Sequence, residues 1–160
     1  DSQCVNTYLR PRPVALFCPT VPGFADVIMS IEGKYTLETS ENFDEFMKAL
    51  GVGLVMRKLG ATSKPTVELI KNNDEWTLKT STAMKTTEVK FKMGEEFDET
   101  TYDGRECKTK FTTEDGNKLV QVQNATKGKS AKYVREFTDA EMIMTCECDG
   151  VTSKRIYKRQ

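Results

Sequence analysis

Residues 133–137 place one arginine among aromatic side chains. Alternate residues of a β-strand share a face, so Tyr133, Arg135 and Phe137 would point to one side. If that side faces the interior, the buried guanidinium needs a negatively charged partner. A carboxylate suits it because the guanidinium fork donates to both oxygens. The alternative interpretation is an ordinary surface arginine, and the pattern alone does not decide between the two.

A second arginine lies on what would be the last strand. Arg155 and Tyr157 are two residues apart and would share a face, while Lys154, Ile156 and Lys158 occupy the other. Because two cations suit solvent, we expect Arg155 and Tyr157 to point inward. The tyrosine hydroxyl would then donate a hydrogen bond to the same carboxylate.

Neighbouring strands would supply the surroundings of such a site. One face carries four sulfur side chains, either as core packing or as an adaptable wall for a flexible apolar ligand: Met142, Met144, Cys146 and Cys148. Gln121 and Gln123 would add polar groups, and hence water, to this interior. We interpret the acidic run Glu95, Glu96, Asp98 and Glu99 as a solvated strand end rather than an acid/base site.

The composition excludes several classes of function. The 160 residues include 24 Lys plus Arg, 24 Asp plus Glu and no histidine. Without histidine, no Ser-His-Asp or Cys-His catalytic pair and no histidine zinc ligand is available. Zero net charge argues against a broad grip on nucleic acid, which needs uncompensated cations. We therefore expect no enzyme activity, no metal or other cofactor, and no nucleic-acid partner.

The cysteines indicate no disulfide framework. They number five and match no zinc-ligand spacing: Cys4, Cys18, Cys107, Cys146 and Cys148. On one strand, Cys146 and Cys148 would share a face about 7 Å apart, which is too far for a relaxed disulfide. We interpret the last three as small reduced hydrophobes of a cytoplasmic protein, with a redox pair as the alternative.

The chain changes character near Met29. Four of the five prolines, and neither Lys nor Glu, fall within residues 1–28. We expect those residues to be an added leader or an upstream extension, mostly disordered. Met29 would then be the natural start of one domain spanning residues 29–160.

Periodicity predicts the elements that position the candidate site. A helical spacing of i, i+3, i+4 and i+7 is shown by Phe43, Phe46, Met47 and Leu50. Asn42 and Glu45 would close the start of this helix as a capping box. A second short helix follows from Leu54, and Pro65 prevents its continuation.

The remaining chain has the period of two that is typical of strands. Alternation is clear over residues 76–80, 88–93 and 107–111, with turn signals such as Asp103-Gly104 and Asp115-Gly116 between runs. About ten strands at this spacing predict an all-β fold, an antiparallel up-and-down barrel. The helix pair would form a lid over its open end.

From about Ser30 to Gln160 the chain resembles the intracellular fatty-acid-binding proteins, which are relatives of the cellular retinoid-binding proteins. The stretches that carry the resemblance occur in family order: EGKY (32–35), NFDEFM (42–47), LGVG (50–53), KPT (64–66), GEEFDE (94–99), DGR (103–105), VRE (134–136) and RIY (155–157). The ending, with DGVTS (149–153) and YKR (157–159), resembles invertebrate members, including the arthropod ones among which are mite allergens.

The resemblance implies a flattened, lipocalin-like barrel (a β-clam) with a helix-turn-helix lid. It implies a monomeric, cytoplasmic, non-enzymatic carrier that transports one or two long-chain fatty acids in a water-containing cavity. By the matching motifs, Arg135, Arg155 and Tyr157 would hold the carboxylate. Three more residues match ligand-contacting positions: Phe43 of the first helix, the portal-side Asp103, and Met84 in place of a portal phenylalanine.

Alternatives stay open at this point. A retinoid carrier would use a similar Arg/Arg/Tyr trio for an acid such as retinoic acid, and a barrel without a fatty-acid ligand could serve as an interaction protein. The lid carries Lys48, Arg57 and Lys58. These form either a basic patch that contacts anionic membranes transiently or an ordinary solvated helix face.

Overall fold

The computed structural model describes residues 30–160. The predictions of a leader at residues 1–28 and of a natural start at Met29 lie outside the described residues, as do Cys4 and Cys18. No helix within residues 30–160 combines the length and apolar character needed to cross a membrane.

Ten strands and two helices make up the described chain. The helices are α1 (Phe43–Ala49) and α2 (Leu54–Thr62). The strands are β1 (Gly33–Glu41), β2 (Thr66–Asn72), β3 (Glu75–Ser81), β4 (Thr86–Phe91), β5 (Glu96–Thr100), β6 (Glu106–Glu114), β7 (Lys118–Lys127), β8 (Ala131–Phe137), β9 (Glu141–Cys148) and β10 (Val151–Arg159).

The strands form one antiparallel sheet that curls into a nearly closed barrel. Their order is β4-β3-β2-β1-β10-β9-β8-β7-β6-β5. Apart from β4 and β5, each strand therefore pairs with its neighbours along the chain, and β10 returns to β1. This confirms the predicted ten-stranded up-and-down barrel with its helical lid. The sheet edges β4 and β5 face each other without ladder pairing in the described structure.

Aromatic side chains fill the space behind the unpaired edges. Phe91 of β4 stacks on Phe111 of β6 with ring centroids 3.8 Å apart. Phe97 of β5 lies parallel to Phe111 at 6.2 Å. The backbone N–H of Gly94 also donates to the Phe111 carbonyl, at 2.8 Å. Side-chain packing and this single hydrogen bond therefore close the barrel where ladder pairing between β4 and β5 does not.

Alternation along the strands separates the interior from the surface. On β6, Cys107, Thr109 and Phe111 are buried, while Lys108 and Lys110 are exposed. On β9, all four sulfur side chains predicted to share a face are buried. The period of two is thus obeyed because one face of each strand is withdrawn from water and the other is solvated.

The two helices differ in how firmly they pack. α1 lies against β9 and β10 and buries Phe46 and Met47, whereas α2 has no buried residue. The predicted capping box is wrong. Asn42 has a left-handed backbone (φ 56°), and its side chain donates to the Thr152 carbonyl of β10 at 2.8 Å. A side-chain cap needs an extended N-cap backbone, so this geometry ties the helix to the barrel instead.

Phe111 is the residue on which we expect closure of the barrel to depend. It is completely buried between two other rings, so Phe111→Ala should lower the free energy of unfolding by about 3–5 kcal/mol. Urea unfolding monitored by circular dichroism measures this. Val55→Ala, at a side chain that is 73 % exposed, should change stability by no more than about 0.5 kcal/mol. Equal effects of the two substitutions would contradict the proposed closure.

Candidate ligand-binding site

The strand register brings the two predicted arginines into one row of the sheet. Arg135 on β8 and Arg155 on β10 are both partners of Met144 on β9, the strand between them. Two strand spacings separate their Cα atoms, or roughly 9.5 Å. Each arginine is only 6 % exposed, so both side chains face inward. This orientation was expected for Arg155 and was one of two open interpretations for Arg135.

Arg155 is held between two aromatic rings. Its guanidinium carbon lies 3.8 Å from the centre of the Phe43 ring on α1 and 5.6 Å from that of Tyr157. These contacts stabilise a cation without neutralising it. Burial raises the pKa of Tyr157, although Arg155 counteracts the rise, so the hydroxyl stays protonated at neutral pH. Phe43, Arg155 and Tyr157 therefore form one group in which the lid contributes the first residue.

Arg135 has fewer hydrogen-bond partners than it has N–H groups. Its Nη2 donates to Oε1 of Gln121 at 3.0 Å. Its Nε and Nη1, like Nε of Arg155, are fully buried and have no partner among residues 30–160. Burial lowers the pKa of Arg135, because the charged form loses its hydration. A buried donor without an acceptor costs roughly 1–3 kcal/mol, so an anion placed here would be stabilised.

The sulfur side chains behave as the sequence predicted. Cys107, Cys146 and Cys148 are buried and form no disulfide with one another. Burial raises the pKa of the Cys146 thiol to about 11, so at neutral pH it stays a thiol rather than a reactive thiolate. On β9, between the strands that carry Arg135 and Arg155, Cys146 and Cys148 form an apolar wall with Met142 and Met144.

Asp103 lies apart from the arginine pair. Its two oxygens accept hydrogen bonds of 2.6 Å each, from the Thr101 hydroxyl and from Nε of Arg105. Burial alone would raise the pKa of Asp103, but the hydrogen bonds from Arg105 and Thr101 outweigh it and hold that pKa below its ordinary value. The carboxylate is therefore committed to an ion pair, and a ligand contact for Asp103 stays a prediction.

Two inward-facing residues were not predicted from the sequence. Arg105 is 6 % exposed and also donates to the Lys129 carbonyl and to Gln123. The alternation of Cys107, Thr109 and Phe111, extended two residues upstream, would have identified it. The sequence predicts a solvated acidic run, but Glu99 departs from this prediction and is only partly exposed. Its side chain turns inward, because Phe97 on the same face packs against Phe111.

The remaining predicted residues lie at the rim. Met84 is 78 % exposed in the β3–β4 turn, which the topology places at the same barrel end as the helices. The exposed apolar side chains at this end form what we call the apolar rim: Leu54, Val55, Met56, Leu59, Met84 and Tyr102. Of the predicted basic residues, Lys58 is exposed, whereas Arg57 is paired with Asp44 at 3.2 Å and its side chain is only 14 % exposed.

Comparison with known proteins places this barrel in a family. Residues 32–160 match the lipocalin / cytosolic fatty-acid binding protein family. A fatty acid-binding protein of the mite Tyrophagus putrescentiae is 47 % identical over 133 residues, covering 83 % of this chain and all of the relative. Mouse cellular retinoic acid-binding protein 2 is 46 % identical over 136 residues, or 82 % of this chain and 99 % of that protein.

A solved structure is similar in both fold and sequence. The fatty acid binding protein of Schistosoma mansoni, in complex with arachidonic acid, superposes with a TM-score of 0.78 at 38 % identity. The match covers 83 % of this chain and 98 % of the other. The chain belongs to the lipocalin / cytosolic fatty-acid binding protein family, a family of lipid-binding carriers, and the resemblance seen in its motifs is confirmed.

The Asp103–Arg105 pair predicts a pH-dependent contribution to stability. The pKa of Asp103 is lower in the folded than in the unfolded chain, so the pair stabilises the protein above the unfolded value near 3.8. That contribution is lost as the pH falls through the lower folded value. Asp103→Asn should cost roughly 1.5–3 kcal/mol at neutral pH, because charge-assisted hydrogen bonds are lost.

Urea unfolding of both proteins between pH 7 and about pH 2 checks this. The difference in the free energy of unfolding between the wild type and Asp103→Asn should be constant near neutral pH. It should become smaller below about pH 4. Asp98→Asn is the matched control, since that carboxylate is 82 % exposed and pairs with Lys108 at the surface. A difference that stays constant down to the lowest pH would contradict the ion-pair explanation.

Proposed function

We propose that this chain is a monomeric, non-enzymatic carrier that binds and transports long-chain fatty acids in the cytoplasm. Arg135, Arg155 and Tyr157 hold the carboxylate, and the barrel interior covers the tail. One observation carries the proposal: two buried guanidinium groups retain N–H donors without acceptors among the described residues. A carboxylate supplies both the missing charge and the missing acceptors. The fatty acid-binding relatives support the same conclusion.

The head group and the tail would contribute differently to binding. A charge-assisted hydrogen bond contributes roughly 1.5–3 kcal/mol net. Burial of the tail contributes about 0.8 kcal/mol per CH₂ before the cost of ordering the chain. The tail therefore supplies most of the affinity, while the arginines and Tyr157 orient the ligand and select for acids.

The lid would couple entry of the ligand to the head-group site. The apolar rim, Met84 included, surrounds the end of the barrel at which the helices lie. Phe43 belongs to α1 and stacks on Arg155, so a movement of that helix changes the environment of the guanidinium directly. Ligand enters between the helix pair and the neighbouring turns.

Removal of the two buried charges should abolish selective acid binding. Arg155→Gln should weaken oleic acid binding about tenfold or more, since one charge-assisted interaction is lost. The Arg135→Gln, Arg155→Gln double variant should bind still more weakly. Displacement of a fluorescent fatty acid measures both affinities. Lys154→Gln, at the exposed neighbour of Arg155 on β10, is the matched control and should bind as the wild type does.

Stability measurements accompany that titration. Because the buried donors lack partners, the ligand-free double variant should be no less stable than the wild type. Saturating oleic acid should raise the melting temperature of the wild type more than that of the variant. Wild-type affinity in a folded double variant would refute the assignment.

A retinoid carrier is the second candidate function. The retinoic acid-binding relative from mouse, at 46 % identity, favours it, and retinoic acid is also a carboxylate that the trio would accept. The same displacement titration with retinoic acid decides between the two. Tighter binding of retinoic acid than of any long-chain fatty acid would assign the carrier to retinoids.

We further propose that the lid contacts anionic membranes when ligand is delivered. α2 buries none of its side chains, and Leu54, Val55 and Lys58 are all exposed. Arg57 contributes less than predicted because Asp44 neutralises it. Apolar insertion next to the exposed cations Lys48 and Lys58 would give weak, reversible binding to the surface.

Transfer of a fluorescent fatty acid to vesicles tests this contact. Transfer should be faster to vesicles that contain phosphatidylserine, and the Leu54→Ser, Val55→Ser variant should slow it several-fold by removing apolar surface. Ile70→Ser is the control, because Ile70 is an exposed apolar residue on β2, away from the lid. Rates that are insensitive to both lipid charge and the lid variant would reject the proposal.

A further inference from the structure

A second polar group lies inside the barrel, separate from the arginine pair. Oε2 of Glu99 accepts a hydrogen bond of 2.6 Å from the Thr109 hydroxyl and one of 2.9 Å from Nε2 of Gln123. Oε1 of Gln123 accepts from Nη2 of Arg105 at 2.9 Å. Thr109 is completely buried, and Gln123 and Arg105 are 4 % and 6 % exposed. We call these four residues the Glu99 network.

Contacts outside the Glu99 network hold Arg105 in position. Arg105 is fixed by Asp103 on one side and by the Lys129 carbonyl on the other. Since its guanidinium is already paired, it orients Gln123 rather than offering a free positive charge. Gln123 in turn fixes Glu99, so the position of the carboxylate is set by strands β5, β6 and β7 together.

The network lies along the path that a bound tail would take. Gln121 accepts from Arg135, and Gln123 is two residues further along the same face of β7, roughly 7 Å away. β8 begins beside Gln123 and reaches Arg135 deeper in the barrel, so the network lies nearer the lid. The Tyr133 ring, 5.7 Å from the Arg135 guanidinium carbon, links the two levels. A ligand held at Arg135 would therefore pass the Glu99 network with the part of its tail nearest the carboxylate.

The hydrogen-bonding capacity of Glu99 is only partly used. Both bonds go to Oε2, and no donor within residues 30–160 is hydrogen-bonded to Oε1. An ionised carboxylate accepts hydrogen bonds and donates none. It therefore favours a ligand O–H, gains nothing from a ketone and repels a second carboxylate. A saturated tail would leave this capacity unused.

We propose that Glu99 is a specificity residue that selects long-chain acids carrying a hydroxyl group in the carboxyl-proximal half of the tail. The ligand hydroxyl donates to Oε1 of Glu99, while Thr109 and Gln123 hold Oε2. This inference rests on the proposed fatty-acid carrier function and narrows it to a class of oxygenated ligand. No covalent bond is made or broken, and Glu99 affects only the binding affinity.

Competition binding with matched ligands tests the proposal. A fluorescent fatty acid bound to the wild type is displaced by three sets of competitors. These are octadecanoic acid, its monohydroxy derivatives with the hydroxyl at successive carbons, and the keto derivative at each of the same carbons. One hydroxyl position should bind roughly tenfold tighter than the unsubstituted acid, and the matching ketone should not. Equal affinities across the hydroxy series overturn the proposal without any variant.

Two variants then locate the effect. Glu99→Gln keeps the shape but supplies amide donors, so the preference for hydroxyl over ketone should fall to about threefold or less. Glu96→Gln is the control, because that carboxylate lies on the exposed face of the same strand and should leave the preference unchanged. A preference that survives Glu99→Gln overturns the assignment to Glu99.

The outcomes separate this inference from the function on which it rests. Binding of octadecanoic acid with no gain from any hydroxyl leaves the carrier function standing and removes only the role of Glu99. Failure of every long-chain acid to bind, in a folded wild-type protein, removes the carrier function itself. A melting curve for each protein shows that the comparison is made between folded chains.

Discussion

Uncompensated positive charge inside a barrel is the constraint on which this structure depends. Three arginines among residues 30–160 are buried to the same degree, yet only one of them forms an ion pair there. Arg105 is neutralised by Asp103 at 2.6 Å, whereas neither Arg135 nor Arg155 forms an ion pair with another described residue. The polar and aromatic contacts of these two guanidinium groups are an amide oxygen and aromatic rings. A buried charge without a counter-ion is costly. This free-energy cost arises at Arg135 and Arg155, where a bound anion would reduce it.

The surrounding barrel supplies stability independently of those charges. Ladder pairing connects all ten strands, and the stack of Phe91 on Phe111 closes the one seam that lacks it. The sulfur and aromatic side chains of the interior add apolar packing to this framework. Stability and recognition thus reside in different parts of one small interior.

Much of this architecture was predictable, for a physical reason. A strand buried on one face must alternate, so the inward orientation of Arg155 and Tyr157 followed from spacing. For Arg135 spacing left a surface position equally open, and only the family motif favoured the interior. The proposed roles of all three residues also came from family motifs. The failures concern contacts between elements that are distant along the chain. Asn42 bonds to Thr152 rather than capping its helix, and Glu99 turns inward because Phe97 packs on Phe111. Arg105 and its partners Gln123 and Lys129 also meet only through the register of the sheet.

The last strand, β10, contributes to both barrel closure and the proposed ligand site, and this affects when each forms during synthesis of the protein. β10 pairs with β1 to close the sheet, and it also carries Arg155 and Tyr157. A chain is made from its amino terminus, and contacts between its two ends form only after everything between them exists. Until β10 emerges, a nascent chain therefore has an open sheet edge and lacks two of the three residues of the proposed carboxylate site. Barrel closure and assembly of the proposed carboxylate site therefore occur in the same late event.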